Sequence, residues 1–440
     1  MRATTYASRR EIFGWGMFDF ANQAYTLLII TVIYGDFFVR VIVGSTSGSY
    51  QLGNFLWSLA LTLSYLTIAL TSPLIGAFAD QYGCKKKLLA ISYFATIGLT
   101  ASLFWVAPGM IGLGFCLILL SNYAYSIGVI LISSFLPDIA TPDEMGRVSG
   151  FGWALGYIGG MIATLITVLS LGTIAAETFD TVRWVGPITA SFFALAAIPT
   201  FIWLKNRHHP IESTTPFRLR QGFQQVKCTF TQMRWQHPDL FWFFGSFLFA
   251  MASLYIIISF SFIYGAQIIH WSSMVRNIMF ILTQIFAAVG AFLFGWIQDR
   301  IGAKRTYLIT IAVWIIVIGL IWATPILTQM INRLFHWHWH AQWVFLAVGS
   351  LTGLALGGCQ SAGRTLVGLF TPKAQTGEMF GFWGVIVNCA GALGLIGLGV
   401  IQLFTGLQNA ILLCIILFII AGGLAFKVNE QRGRDHACKI

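Results

Sequence analysis

Long apolar runs, separated by short polar segments, occupy most of this chain of 440 residues. A helix needs about 20 residues to cross a hydrocarbon core of about 30 Å. The 12 runs of that length predict an all-α membrane protein with 12 transmembrane helices, and an even number of spans places both termini on one side. The runs lie near residues 14–42, 53–76, 88–107, 111–136, 149–171, 185–204, 240–265, 275–297, 306–326, 343–367, 379–404 and 409–427.

The composition excludes a soluble fold and the charges predict an orientation. Hydrophobic residues make up 57% and charged residues 9% of the chain, with a mean hydropathy of +0.78, whereas soluble domains carry about 25% charged residues. On the predicted map, 21 of the 26 Lys and Arg lie on the side of the termini, and basic residues favour the cytoplasmic side. Both termini are therefore predicted to be cytoplasmic, in a bacterial inner membrane. The net charge of +11 is then explained by the topology, and it favours attraction to anionic membrane lipid. We predict that nucleic acid is not a partner.

One long polar stretch divides the spans into two sets of six. It predicts an N-terminal half at residues 1–204, a cytoplasmic linker at 205–239, a C-terminal half at 240–427 and a cytoplasmic tail at 428–440. A sequence echo supports this division. Thr-Pro at 141–142 leads to GFGW at 150–153 in the fifth span, and Thr-Pro at 371–372 leads to GFWG at 381–384 in the eleventh.

A second echo follows the second span of each half. The chain reads GAFADQYGCKK at 76–86 and GWIQDRIGAKR at 295–305, 219 positions later. This pattern resembles the loop signature of the major facilitator superfamily, and its presence in both halves is specific. The residues that the resemblance assigns to gating loops are Gly76, Asp80, Gly83, Lys85, Lys86, Gly295, Asp299, Arg300, Gly302, Lys304 and Arg305.

The resemblance implies two pseudosymmetric six-helix bundles that work by alternating access. It places Asp80 against the start of the eleventh helix, near 376–379, and Asp299 against the start of the fifth, near 146–148. A carboxylate facing a helix N-terminus is stabilised by about 0.3–2 kcal/mol, and this contact would exist in one gating state. The alternative for the basic loop residues is that they only fix topology.

The first span carries a second resemblance. Residues 14–25 read GWGMFDFANQAY, which looks like the opening of the family called the unknown major facilitators, with Phe18 for the usual Tyr and Gln23 for Ser. Relatives of that family include autophagy-related vacuolar effluxers, implicated in moving amino acids. The resemblance therefore implies a small zwitterionic solute.

Polar residues on the predicted first span share one face. Asp19, Asn22 and Gln23 are spaced i, i+3 and i+4, and ionisable groups within a span usually face a cavity or a partner. We predict that they bind solute, with Asp19 carrying a proton or contacting an ammonium group. The alternative is that Asp19 braces the first helix near the inner water boundary.

Two further spans supply predicted solute contacts. Asn122 and Tyr123 take polar positions on the fourth span, which lacks the arginine motif that major facilitators link with proton coupling. Gln360 and Arg364 share a face of the tenth span, and a guanidinium can grip a carboxylate through two bonds. The alternatives are packing for Tyr123 and snorkelling to the cytoplasmic interface for Arg364.

Two other motifs favour structural interpretations. The fifth span reads GWALGYIGG at 152–160, close to an antiporter signature but with Tyr157 in place of proline, so we predict close helix packing through small residues. The tract HWHWH at 336–340 could hold a transition metal, but aromatic residues are common at the membrane interface. We predict no metal, no cofactor and no disulfide framework.

These observations predict a secondary active transporter of a small polar solute, an amino acid or similar, with protons as a candidate coupling ion. The protein is expected to be a monomer and not an enzyme. One alternative is a proton-coupled exporter of drugs or siderophores. Another is a nutrient sensor that has the same fold but does not transport.

Overall fold

The computed structural model describes residues 7–45, 50–171, 179–207, 219–336 and 338–439. Within these residues there is no strand, and eleven helices are long and apolar enough to cross a membrane. We number them as spans 1 to 11: Arg9–Val43, Gln51–Tyr82, Lys85–Trp105, Ile111–Ile139, Met145–Leu171, Phe179–Trp203, Pro238–Ile269, Ser273–Ile301, Ala303–Phe335, Ala341–Phe370 and Lys373–Ala410.

The twelfth span is the helix Leu413–Phe426, which is short by itself. The backbone turns at Gly406, whose φ of 73° is rarely adopted by residues with a side chain. Helical hydrogen bonds then continue across the break, from Ile411 N–H to Leu407 O at 3.3 Å and from Cys414 N–H to Ile411 O at 3.0 Å. We call the helix Leu413–Phe426 span 12; it lies within the predicted last span, near 409–427, and is long and apolar enough to cross a membrane only together with the bent helix that follows it.

The chain forms two compact units that do not follow the order of the sequence. Unit 1 comprises the described residues of Met1–Thr141, Leu155–Lys227 and Lys373–Val385. Unit 2 comprises Pro142–Ala154, Cys228–Pro372 and Ile386–Ile440 within the same limits. Spans 5 and 11 therefore each begin in one unit and end in the other. The predicted domain boundaries at 204, 239 and 427 remain predictions.

Each unit has its own core. In unit 1, aromatic residues of span 1, among them Tyr25, Tyr34 and Phe37, are fully buried in a cluster that includes parts of spans 2 to 6. In unit 2, span 10 packs closely on span 8, where a Cβ added to Gly357 would lie 2.1 Å from the Ala287 carbonyl oxygen. Large apolar side chains on the outside of the units are exposed, as a lipid environment requires.

Two helices lie outside the spans. The linker helix (Leu219–Gln236) falls within the predicted linker, of which residues 208–218 lie outside the described residues. Gln225 on this helix donates a hydrogen bond from Nε2 to Glu378 Oε2 at 3.0 Å. The tail helix (Glu430–Lys439) follows span 12, bent from it by 59°.

Candidate functional site

The first loop signature, at the end of span 2, binds the start of span 11 within unit 1. The Asp80 carboxylate is buried, and it accepts hydrogen bonds from Gly377 N–H and Glu378 N–H, each at 2.9 Å. The helix begins at Thr376, so these are among the N–H groups that have no partner within it. The positive end of the helix dipole also favours the carboxylate. Asp80 thus lies where the resemblance places it, while its role in gating stays a prediction.

Glycine permits this close approach. A Cβ added to Gly76 would lie 2.0 Å from the Gly377 carbonyl oxygen, and one added to Gly381 would lie 2.6 Å from Pro73 Cα. The Ser72 hydroxyl donates to the Gly381 carbonyl at 3.0 Å. The two backbones are therefore in contact along the first turns of span 11.

A buried lysine lies between two of the carboxylates at this contact. The Lys85 side chain is fully buried, and its ammonium lies 3.6 Å from Asp80 Oδ1 and 3.2 Å from Asp138 Oδ2. It also donates a hydrogen bond to the Thr376 hydroxyl. One cation thus links span 3, the end of span 4 and the first residue of the span 11 helix. A buried charge needs such partners to offset its desolvation.

The second loop signature binds the start of span 5 within unit 2. Asp299 accepts hydrogen bonds from Gly146 N–H at 2.8 Å and Arg147 N–H at 3.1 Å. The Arg147 Nε donates to the same carboxylate at 3.0 Å. Gln298 completes the contact, because its Nε2 donates to the Gly146 carbonyl at 3.0 Å and to Ser361 Oγ at 3.1 Å. Asp299 therefore also lies against the helix start that the resemblance implies.

The two copies differ in where their positive charge lies. In unit 2 the docked helix supplies the cation, Arg147. In unit 1 the corresponding residue is an acid, Glu378, which is 1% exposed, and the loop itself supplies the cation, Lys85. Lys304, which matches Lys85 in the motif, instead donates to the Val428 carbonyl at 2.6 Å. The motif is symmetric in sequence, but the charges around it are not.

The remaining loop residues turn the backbone, bond to neighbouring groups, allow close helix contact or are exposed. Gly83 and Gly302 have φ values of 61° and 98°, which suit the tight turn after each aspartate. Lys86 donates to the Phe201 carbonyl at 2.8 Å. The Arg300 guanidinium lies 3.5 Å above the Trp296 ring, and Arg305 is exposed. Gly295 allows close contact, since an added Cβ would lie 2.9 Å from the Gly146 carbonyl oxygen.

A second group of polar residues lies inside unit 1, on spans 1, 2 and 4. Asn122 donates from Nδ2 to Ser64 Oγ at 2.9 Å. The hydroxyls of Tyr25 and Ser121 lie 2.8 Å apart, and those of Thr26 and Tyr125 lie 2.7 Å apart. Asp19, which is 8% exposed, is on the same helix as Tyr25 and Thr26. We call this group the polar cluster.

Asn22 stands out within the polar cluster. Its side chain is 4% exposed, yet neither its Nδ2 nor its Oδ1 has a hydrogen-bond partner within the described residues. An unsatisfied buried polar group costs about 1–3 kcal/mol. The donor and the acceptor of this amide are therefore both left unsatisfied by the described residues.

Span 1 changes from an α-helix to a π-helix at the polar cluster. It is an α-helix from Arg9 to Ala24 and a π-helix from Tyr25 to Val32. π-helical turns are rare and occur frequently at functional sites. Span 7 shows the same change near its end, at Gly265–Ile269.

The other residues predicted on spans 1 and 4 contact neighbouring spans, and their role in solute binding stays a prediction. Gln23 lies beside span 5, where a Cβ added to Gly156 would lie 3.2 Å from Gln23 Cγ. A Cβ added to Gly159 would lie 2.1 Å from the Phe20 carbonyl oxygen, so the glycines of span 5 serve close packing on span 1. The Tyr123 hydroxyl lies 3.0 Å from the Thr71 hydroxyl of span 2.

Arg364 is held by the first turns of span 5. It is 1% exposed, and its Nη2 donates to the Ser149 carbonyl at 2.8 Å and its Nε to Ser149 Oγ at 3.3 Å. Its guanidinium also lies 5.2 Å from the Trp153 ring centroid. The predicted solute contact and the snorkelling alternative both stay predictions. Gln360, one turn earlier, is half-buried, and its predicted solute contact is untested.

The structure describes every residue of the histidine tract except Trp337. Among the described residues, the histidines of the tract form no group that could hold a metal ion. His336 ends span 9 with a φ of 52°. Asn332 holds the tract through two hydrogen bonds of 2.9 Å to the main chain of Trp339. The geometry supports a capping loop at this position.

Comparison with known proteins places this chain in a family. The model of the family described as "Vacuole effluxer Atg22 like" matches residues 54–438. The chain belongs to this family. It is an Atg22-like member of the major facilitator superfamily and a multi-pass integral membrane protein, so the predicted family and fold class are confirmed.

Three known transporters are similar to this Atg22-like chain in sequence or in fold. The MFS-type transporter YxiO of Bacillus subtilis is 25% identical over 427 residues, covering 96% of this chain and 95% of the relative. The multi-drug resistance efflux pump PmrA of Streptococcus pneumoniae is 24% identical over 360 residues, covering 79% of each chain. The structure of the MFS proton:xylose symporter XylE has a TM-score of 0.72 at 11% identity, covering 97% of this chain and 96% of that one, and it shows the shared fold.

Several residues of the Atg22-like site were missed by the sequence reasoning. Asp138, Arg147 and Glu378 complete the two docking contacts, and Ser149 holds Arg364. Arg147 and Glu378 could have been found from the Thr-Pro echo, since each follows the glycine whose N–H faces the loop aspartate. Asp138 gave no such signal, because a single acid after a span is common.

Proposed function

We propose that this protein is a secondary active transporter of a small polar solute, an amino acid or similar, and that it works by alternating access. Membership of the family and the shared fold support transport; they do not identify the solute. The proposed location is a bacterial inner membrane with both termini cytoplasmic, as the distribution of basic residues predicts.

The observation that carries the solute class is the unpaired amide of Asn22. It offers one acceptor and two donor hydrogens in a buried position. A zwitterion such as an α-amino acid has an ammonium donor and a carboxylate acceptor bonded to the same carbon, which can satisfy both sides of this amide. The nearby Asp19 carboxylate, three residues away on the same helix, favours an ammonium group.

The docking contacts support alternating access. Asp80 and Asp299 hold the starts of spans 11 and 5 through main-chain N–H groups. Because the first N–H groups of a helix have no partner within it, releasing them removes no hydrogen bond of the helix itself. We propose that the starts of spans 5 and 11 are docked in one gating state and released in the other. Asp19 is the proposed proton carrier, so Asp19→Asn should abolish transport driven by a pH gradient and retain solute counterflow.

The test of the solute site separates binding from folding. Asn22→Leu keeps a similar volume and removes an amide that has no partner in the described structure, so thermal stability should be unchanged or higher. Solute binding should be lost. The comparison variant for folding, Asn122→Leu, removes the hydrogen bond to Ser64 and should lower stability by about 1–2 kcal/mol; because Asn122 is itself a predicted solute contact, this variant serves only as the measure of what a lost buried hydrogen bond costs.

Thermal unfolding of purified protein in the presence of amino acids, peptides, nucleosides and siderophores first identifies a ligand, because a ligand that binds the folded state stabilises it by mass action. The ligand is then tested on both variants and in counterflow with proteoliposomes. The solute-site assignment is wrong if Asn22→Leu lowers stability and leaves counterflow intact.

Drug export is the second candidate, and the similarity to the efflux pump PmrA favours it. An exporter of apolar cations would rely on Asp19 and aromatic residues, and Asn22→Leu would leave it active. Stabilisation by drug-like cations, with no response to amino acids, would support this function over the first.

A further inference from the structure

A basic cavity of about 630 Å³ lies within unit 2. It is formed by the junction of spans 8 and 9, the end of span 12 with the residues directly after it, and the tail helix. Its charged lining comprises five cations and one carboxylate: Lys304, Arg305, Lys427, Arg432, Arg434 and Glu430. We call it the tail cavity.

The wall of the tail cavity already binds one anionic group of the protein. The Glu430 carboxylate accepts hydrogen bonds from Ala303 N–H at 3.1 Å and Lys304 N–H at 2.9 Å. These N–H groups belong to the first turn of span 9, where the helix dipole favours negative charge. Glu430 therefore fixes the tail helix to this junction and neutralises one positive charge of the lining.

The other cations divide into two groups. Arg432 is paired with Asp239 through two bonds of 2.8 and 2.7 Å, and Arg434 is paired with Asp143 at 2.7 Å. Arg305 and Lys427 are exposed, and neither forms an ion pair within the described residues. The lining thus keeps an excess of positive charge at these two side chains.

The neighbouring residues are those of a membrane interface. The Lys427 ammonium lies 4.1 Å from the Trp242 ring centroid, and tryptophan is enriched where headgroups meet the hydrocarbon core. Phe426, which lines the cavity at the end of span 12, is 73% exposed. A cationic cavity beside an exposed apolar side chain suits a molecule with an anionic head and an apolar tail.

We propose that the tail cavity binds the phosphate-bearing headgroup of an anionic membrane lipid, with Arg305 and Lys427 contacting the phosphate. Basic pockets at the ends of transmembrane helices bind such headgroups. The volume lies within the range of about 300–1,000 Å³ for ligand sites and exceeds what a single phosphate ion fills. The bound lipid would hold the tail helix against the junction of spans 8 and 9.

The experiment titrates purified full-length protein in neutral detergent with short-chain phosphatidylglycerol. The readout is hydrogen–deuterium exchange of the tail helix, from which an apparent Kd is obtained. Inorganic phosphate and short-chain phosphatidylcholine are titrated separately, to distinguish a free anion and an uncharged lipid from the anionic headgroup. The test variant is Arg305→Gln/Lys427→Gln, and the matched control is Lys87→Gln/Lys373→Gln, which removes the same charge from exposed positions elsewhere.

Phosphatidylglycerol should protect the tail helix saturably, and phosphatidylcholine should not. The test variant should bind about thirtyfold more weakly, because each basic residue near anionic lipid contributes about 1 kcal/mol and about 1.4 kcal/mol is a factor of ten. The control variant should bind like the parent. The proposal is overturned if inorganic phosphate protects as well as the lipid, if both variants lose affinity equally, or if no titrant changes the exchange.

Discussion

Lys85 holds the start of span 11 in place, and its removal is the sharpest test of the docking contacts. In Lys85→Met, the apolar part of the side chain is kept and the ammonium is lost. Asp80 and Asp138 are then left buried without a cation between them, close to the acid Glu378. We expect the start of span 11 to leave unit 1 much more often.

The distances set the size of the effect. The ammonium lies 3.6 Å from Asp80 and 3.2 Å from Asp138, where unit charges attract by roughly 5 kcal/mol at an effective dielectric constant of about 20. Desolvation of the ammonium offsets part of this, and removing one partner of a buried pair costs about 3–5 kcal/mol. Because Asp80 keeps its two main-chain donors, we expect the lower end, about 3 kcal/mol. The released population should then rise by roughly a hundredfold.

A buried reporter on span 11 measures this population. Met379 is fully buried, so a Met379→Cys reporter, in a background without the native cysteines, should react with a maleimide only when the helix start is released. The matched control is Lys304→Met, which removes the cation at the same motif position of the second copy. Its ammonium is bonded to main-chain carbonyls, so its loss should leave the labelling rate near that of the parent.

The second-site variant Asp138→Asn provides a check on the electrostatic cause. Added to Lys85→Met, it removes one of the uncompensated carboxylates and should restore much of the slow labelling and of the thermal stability. Equal labelling rates in the Lys85→Met and Lys304→Met proteins, both folded, would refute the reasoning. Lys85 would then be a topology determinant only.

Three further outcomes are expected. Asp299→Asn should weaken the docking of the start of span 5 by about 1–2 kcal/mol. A cysteine placed in that turn should then be labelled faster, and an unchanged labelling rate would contradict the docking role. Arg364→Lys should lower thermal stability by about 1–3 kcal/mol, since an ammonium lacks the planar fork with which Nε and Nη2 reach the hydroxyl and the carbonyl of Ser149; unchanged stability with weaker solute binding would instead make the arginine a solute contact. His237 lies buried before span 7, and burial, followed by the nearby His436, lowers its pKa below the ordinary 6.5. The neutral ring is favoured in the fold, so stability and tail-helix protection should fall as pH drops through about 6.5, and His237→Gln should remove this dependence in the same exchange measurement.

The apolar runs were sufficient to predict the spans, because their length reflects the thickness of the bilayer. The two aspartate contacts came from the resemblance that the repeated motif carries, since the motif alone does not say which helix start each aspartate faces. The partners of Lys85 could not be predicted, since Asp138 is 53 positions away and only packing brings it within 3.2 Å. The unpaired amide of Asn22 is equally invisible in sequence, because it depends on what every neighbouring side chain bonds to.

The unequal charges of the two docking contacts mean that the two copies are not expected to tolerate the same substitutions. In the second copy, Arg147 itself brings the positive charge to Asp299. In the first copy, an acid at position 378 is compatible with Asp80 because Lys85 lies beside that carboxylate. We therefore expect the residue after the docked glycine to be exchangeable between the copies only together with a matching change of the loop cation.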